Sequence, residues 1–185
     1  MKRELRTMTI NTKRICLTAV GIALFVALSL CLQVPVFENY YLCLGYVVMA
    51  VYCYSFGVTA GTLVGCFGVI LYCLLINGLR GMPGWALGNV VIGAILGMTF
   101  RRTKGLAKPL IRTVFNTVAI VIAVALGILM VKSETESLLY AQPFLIRAGK
   151  NVYAFVADTV VLIVSLPICT ILDIQAKKML PNLAK

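Results

Sequence analysis

The sequence predicts an all-α integral membrane protein, one bundle of six transmembrane helices with both termini on the cytoplasmic side. Residues 1–185 read as a single membrane domain. Three observations carry this. Of 185 residues, 61% are hydrophobic and only 12% are charged, with a mean hydropathy of +0.99. That leaves too few polar groups to cover a water-exposed surface. The apolar residues gather into runs of membrane-spanning length, and the basic residues gather at the ends of those runs.

The first span, 15–35, follows a basic lead and has no small-residue cleavage pattern before Pro35. It reads as a retained helix, not a cleaved signal peptide. Ala19, Ala23 and Ala27 recur every four residues, which puts them in one shallow stripe on one helical face. Such a stripe lets another helix backbone come close, from inside the bundle or from a partner. The second span is read at 41–57 and the third at 58–77, with almost no polar break between them. This region fits two short helices, or one span plus a re-entrant piece. The fourth span is 83–100, the fifth 109–131 and the sixth 152–172.

Glycines at spacings of four (Gly57, Gly61 and Gly65; Gly84 and Gly88; Gly93 and Gly97) mark close-packing faces. They predict that the third and fourth spans form the tight heart of the bundle. Residues 36–40 and 78–84 are short, turn-rich outer connections. Residues 132–151 form a longer one, whose core at 137–148 reads as a short interfacial helix interrupted at Pro143. Loops often carry function, so this connection is the candidate lid.

Charge position sets the orientation. Lys2, Arg3, Arg6, Lys13 and Arg14 precede the first span. Arg101, Arg102, Lys104, Lys108 and Arg112 lie between the fourth and fifth spans, and Lys177, Lys178 and Lys185 follow the sixth. Six spans put all three clusters on one side, the cytoplasmic one, and leave Arg80, Lys132, Arg147 and Lys150 outside. The net charge of +11 is therefore an orientation signal, not a nucleic-acid footprint.

The chain has no histidine, and its seven cysteines (Cys16, Cys31, Cys43, Cys53, Cys66, Cys73 and Cys169) form no CxxC pair. They read as small hydrophobes, and neither a metal nor a cofactor is expected. The sequence contains no paired intramembrane carboxylates, no GxSxG and no GxxxxGK[ST]. The reading is a non-enzymatic protein.

Ionisable and amide groups are expensive inside a membrane, so they nominate the site. Asp158 lies seven residues into the sixth span, about 10 Å from its outer end. Asn151, Phe155 and Asp158 share one helical face. The Asp158 carboxylate has two readings, a ligand contact and a hydrogen bond between helices. Tyr46, Tyr72, Asn77, Trp85 and Asn89 sit in the same outer half, with Trp85 and Asn89 one turn apart. Aromatic rings and a few convergent amides suit a small organic ligand, although Trp85 and the tyrosines also fit an interfacial belt. Arg80, Arg147 and Lys150 suit an anionic ligand group or a lipid phosphate. Asn116, in the inner half of the fifth span, reads as a bond between helices.

The size, topology and Ala19-x-x-x-Ala23-x-x-x-Ala27 stripe resemble an S component of an energy-coupling factor (ECF) transporter. The run Leu44-Gly45-Tyr46 through Gly57, the glycine-rich third span and Gly81-Met82-Pro83-Gly84-Trp85-Ala86-Leu87-Gly88-Asn89 resemble the riboflavin and hydroxymethylpyrimidine branch. The resemblance covers nearly all of 15–175. It implies a vitamin-binding subunit of a bacterial plasma membrane importer, whose alanine stripe docks on a membrane T component powered by two ATPases. Substrate would bind near the outer face, and the subunit would topple to release it inside. Arg80, Trp85, Asn89, Asn151 and Asp158 are then pocket candidates by location. Few charges near the pocket disfavour a strongly anionic substrate. Cobalamin, hydroxymethylpyrimidine, riboflavin, pyridoxine and pantothenate all remain. The competing classes are a stand-alone secondary carrier or channel, and a membrane assembly protein without a ligand.

Overall fold

The structure is a computed structural model that describes residues 12–31, 34–37, 40–76, 78–106 and 108–179. Helix α1 (Thr12–Cys31) leads into a two-stranded antiparallel hairpin, β1 (Val34–Phe37) and β2 (Tyr40–Leu42), which pairs Val34 with Leu42. Then come α2 (Gly45–Ser55), α3 (Val58–Leu75), a 3-10 turn (Leu79–Gly81) and α4 (Met82–Thr103). The next helix begins as α5 (Pro109–Val124), widens to a π-helix over Ala125–Lys132 and ends as α6 (Ser133–Tyr140). The last is α7 (Phe144–Met179).

Among the described residues, five helices are long and apolar enough to cross a membrane: Thr12–Cys31, Val58–Leu75, Met82–Thr103, Pro109–Tyr140 and Phe144–Met179. The expected second span differs. Its region divides between β2 and α2, and α2 has 11 residues. That is about 16 Å of helix against a hydrocarbon core of about 30 Å. Nine of its residues, from Gly45 to Ser55, are buried, so α2 is a core helix and its all-round apolar sequence mimicked a span. Gly57 is not a packing glycine. It adopts φ 92° with nothing near its missing side chain, and it forms the turn between α2 and α3.

The other glycines do pack. Gly61 faces Cys53 and Gly65 faces Met49 of α2, while Gly93 and Gly97 bring α4 against Thr62 and Val58 of α3. Gly84 and Gly88 serve a different partner. A Cβ on Gly88 would stand 2.6 Å from the Gly127 carbonyl oxygen in the π-helix. Backbone cannot yield there as a flexible side chain can, so Gly88→Ala is expected to destabilise the folded protein by about 1–3 kcal/mol. Thermal unfolding in detergent measures this, and an unchanged midpoint would contradict the packing described.

The outer connection at 132–151 is also mostly helix. α6 extends the fifth span, Ala141 turns with φ 50°, and α7 is already helical from Phe144, eight residues before the expected start. Pro143 ends up in that tight turn, where a fixed φ and a missing N–H cost little.

The two ends of the bundle differ in charge. Lys104 binds Asp173 at 2.8 Å and Lys177 binds it at 2.7 Å, which ties the end of α4 to the end of α7. The Tyr52 hydroxyl donates to the Leu17 carbonyl, bringing the start of α1 to the same end. Arg101, Arg102, Lys108 and Arg112 lie there too. Asn116 accepts a hydrogen bond from Thr103 across α4 and α5, a bond between helices as its position predicts.

Candidate functional site

At the opposite end a cavity of about 250 Å³ opens between α1, α3, α4, the π-helix and α7. Its wall includes Ser29, Leu42, Cys43, Tyr72, Cys73, Ile76, Trp85, Lys132, Ala154 and Asp158, with Gly78 and Gly81 at the rim. Small residues on several helices leave the space, and three large polar side chains enter it.

Trp85 is placed first. Pro83 opens α4 with a φ preset for the first turn, and Trp85 follows within that turn. Its Nε1–H donates to the Tyr46 hydroxyl at 2.8 Å. Tyr46 donates to Asn89 Oδ1 at 2.8 Å, and Asn89 Nδ2 donates to the Gly65 carbonyl at 3.0 Å. This relay links α4, α2 and α3 through two fully buried polar side chains. A satisfied buried chain of this kind fixes geometry, because breaking one member strands its neighbours. Tyr46 and Asn89 therefore stand behind the wall and hold the indole. Tyr72 meets Trp85 edge-on, ring centroids 5.8 Å apart.

Lys132 comes from the π-helix. Inward positions on this helix run Asn116, Ile120, Ala123 and Val124, Gly127 and Ile128, then Lys132, Ser133 and Glu136. A strict α-helical period after Ile128 brings Val131 inward. The wider π turn delays the inward face by one residue, so Lys132 faces the cavity instead. Its ammonium lies 6.0 Å from the Trp85 ring centroid and 4.0 Å from Glu136. Across the cavity, Asp158 lies against the Tyr46 hydroxyl and in the field of Lys132. The cavity thus presents an acceptor, a cationic donor and two aromatic rings. It can stack one face of a flat, uncharged heterocycle on an aromatic ring and read its N–H and C=O groups at the edge.

The remaining predicted residues fall elsewhere. Asn151 is buried above the cavity, where its Nδ2 donates to Ser133 Oγ at 2.9 Å and to Glu136 Oε2 at 3.1 Å. Arg147 lies 3.9 Å from Glu136 and stacks on Tyr140. Together they fasten α6 to α7 as a roof. Lys150 is exposed. Arg80 belongs by its backbone to the turn Leu79–Gly81 at the rim. Asn77 lies outside the described residues.

Sequence reasoning missed Lys132, Ser29, Cys43 and Cys73 as wall residues. Lys132 read as a flanking charge, since nothing in hydropathy signals a π turn. The only hint is Glu136, four residues on. Ser29 Oγ and Cys43 Sγ meet at 3.3 Å, a contact between two residues that each look merely small.

The alanine stripe faces away from the bundle. Ala19, Ala23 and Ala27 are all exposed, whereas Gly21, Phe25, Val26 and Ser29 turn inward. A side chain on Gly21 would meet the Tyr52 ring at 2.6 Å. Internal packing therefore uses the other face of α1.

The family model described as ECF-type riboflavin transporter, S component, matches residues 9–173. No solved structure matches the chain.

Proposed function

The chain belongs to the family of ECF-type riboflavin transporter S components, and on that footing we propose that it captures riboflavin from outside the cell and delivers it inward. The family is a class of transporter subunit, not of enzyme, and the chain is a multi-pass membrane protein. The cavity flanked by Trp85, Tyr72, Lys132 and Asp158 is the single observation that supports a specific ligand. Two aromatic rings suit an isoalloxazine, Asp158 accepts from a ring N–H, and Lys132 donates to a ring carbonyl. The cavity's cation, Lys132, is already matched by Glu136 at 4.0 Å and by Asp158, which argues against an anionic vitamin such as pantothenate. Hydroxymethylpyrimidine and pyridoxine are the alternatives within the same chemistry.

The topology follows in this reading. The buried short helix α2, which starts beside the cavity at Tyr46 and ends at the basic end with Tyr52 and Tyr54, returns the chain across the bundle in place of a full second span within a single membrane domain, so both termini share a side. The basic end faces the cytoplasm of a bacterial plasma membrane, and the cavity faces out. The exposed alanine stripe docks on a membrane T component, and two ATPases drive release. The roof of α6 and the start of α7 takes the place of the expected loop lid.

Trp85 is the chain's one tryptophan and lies in the cavity wall, so the protein carries its own probe. Riboflavin added to the purified protein is expected to quench tryptophan emission saturably, at one ligand per chain. Quenching by hydroxymethylpyrimidine or pyridoxine instead would reassign the substrate. No quenching by any of them, with no heat of binding by calorimetry, would favour the ligand-free assembly protein.

A further inference from the structure

A second cleft, of about 290 Å³, lies at the basic end between α5, α7 and the end of α2. We propose that it seats the phosphate of an anionic phospholipid headgroup, with Arg112 as the recognising cation. Pro167 lies inside α7 and lines the cleft. A proline inside a helix lacks its N–H and crowds the preceding turn, which bends the helix. Thr170 donates to the Pro167 carbonyl at 2.7 Å, and Thr113 donates to the Pro109 carbonyl at 3.1 Å. Both hydroxyl protons are therefore engaged along their own helices.

Three of the side chains that line the cleft can donate to a ligand. Arg112 carries the guanidinium, and among the described residues no carboxylate pairs with it. Asn116 is buried and uses its Oδ1 to accept from Thr103, which leaves its NH₂ for the cleft. Tyr54 adds a phenol within the electrostatic reach of Arg112. Asp173, the nearest acid, is held by Lys104 and Lys177. A cleft with an unopposed guanidinium, an amide NH₂ and a phenol selects an anion, and the planar fork matches phosphate oxygens two at a time. Leu166 lines the cleft, and Phe115, the neighbour of Asn116 in sequence, is exposed on α5 and offers apolar surface for acyl chains. The position among Arg101, Arg102 and Lys108 puts the cleft where lipid headgroups lie.

The test uses the full chain in nanodiscs of equal phosphatidylcholine and phosphatidylglycerol, extracted gently and read by native mass spectrometry. The native protein is expected to retain phosphatidylglycerol in preference. Arg112→Gln should lower that retention about fivefold, the effect of one interfacial cation, Arg112→Lys should lower it by less because the charge stays and the fork is lost, and Arg102→Gln, outside the cleft, should keep most of it. Equal loss in Arg102→Gln and Arg112→Gln would overturn the site in favour of a diffuse field. Displacement of the lipid by inorganic phosphate alone would overturn the lipid in favour of a free phosphate ester. A phosphatidylglycerol with a photoreactive headgroup tests the unaltered protein. Labelling of the segments around Arg112 and Thr170 is expected, and labelling confined elsewhere would refute the proposal even if Arg112→Gln does not fold.

Discussion

Ala23→Trp is expected to abolish vitamin uptake by cells while leaving vitamin binding by the isolated protein unchanged. The stripe of Ala19, Ala23 and Ala27 is exposed along α1, and the helix buries a different set, Gly21, Phe25, Val26 and Ser29, against its own bundle. A tryptophan at the middle of the stripe thus displaces nothing inside the protein. Against a partner helix it acts as a wedge where close backbone approach is required. Overpacking of this kind costs about 1–3 kcal/mol, roughly five- to 150-fold in a docking constant. Ala23→Gly keeps the stripe bare and should retain uptake. Uptake of labelled riboflavin into cells, beside calorimetry on the purified protein, separates the two effects. Normal uptake by Ala23→Trp would remove the docking role, and loss of binding as well would mean that the stripe supports the fold.

Asp158→Leu is expected to weaken vitamin binding by roughly ten- to 150-fold, the effect of losing one charge-assisted hydrogen bond of about 1.5–3 kcal/mol. The carboxylate lies in the cavity wall opposite Lys132 and beside Tyr46. Its loss leaves Lys132 with Glu136 as a remaining acid, at 4.0 Å, so the cation is not abandoned in an apolar site. Tyr46 retains Asn89 as its acceptor and Trp85 as its donor. The fold should therefore survive, and a normal elution profile in size-exclusion chromatography is part of the expected result. Unchanged affinity in Asp158→Leu would make the carboxylate a purely structural link between helices.

The contrast between these residues shows what the sequence made legible. Asp158 and Asn89 stood out because a carboxylate or amide in an apolar span needs a partner, and the structure gives each one. Glycines at spacings of four revealed the α3–α4 contact because only bare backbones approach that closely. Length was harder to read than polarity. A helix buried all round has the same hydropathy as one crossing lipid, so α2 resembled a full span until its partners were known. The outer connection was misread for a related reason. Ser133, Glu136 and Asn151 look like loop residues, yet they hydrogen-bond to one another between α6 and α7. Lys132 was hidden by phase. Period-3.6 reasoning assumes an unbroken α-helix, and one widened turn is enough to exchange the lipid-facing and inward positions.

The most direct test of the account is native mass spectrometry of the protein purified gently from its own cells. A chain carrying one riboflavin-sized mass, recovered with a membrane T component and two ATPase subunits, is the predicted result. Recovery of the chain alone and empty, under conditions that hold such complexes together, would contradict it and point to a stand-alone carrier.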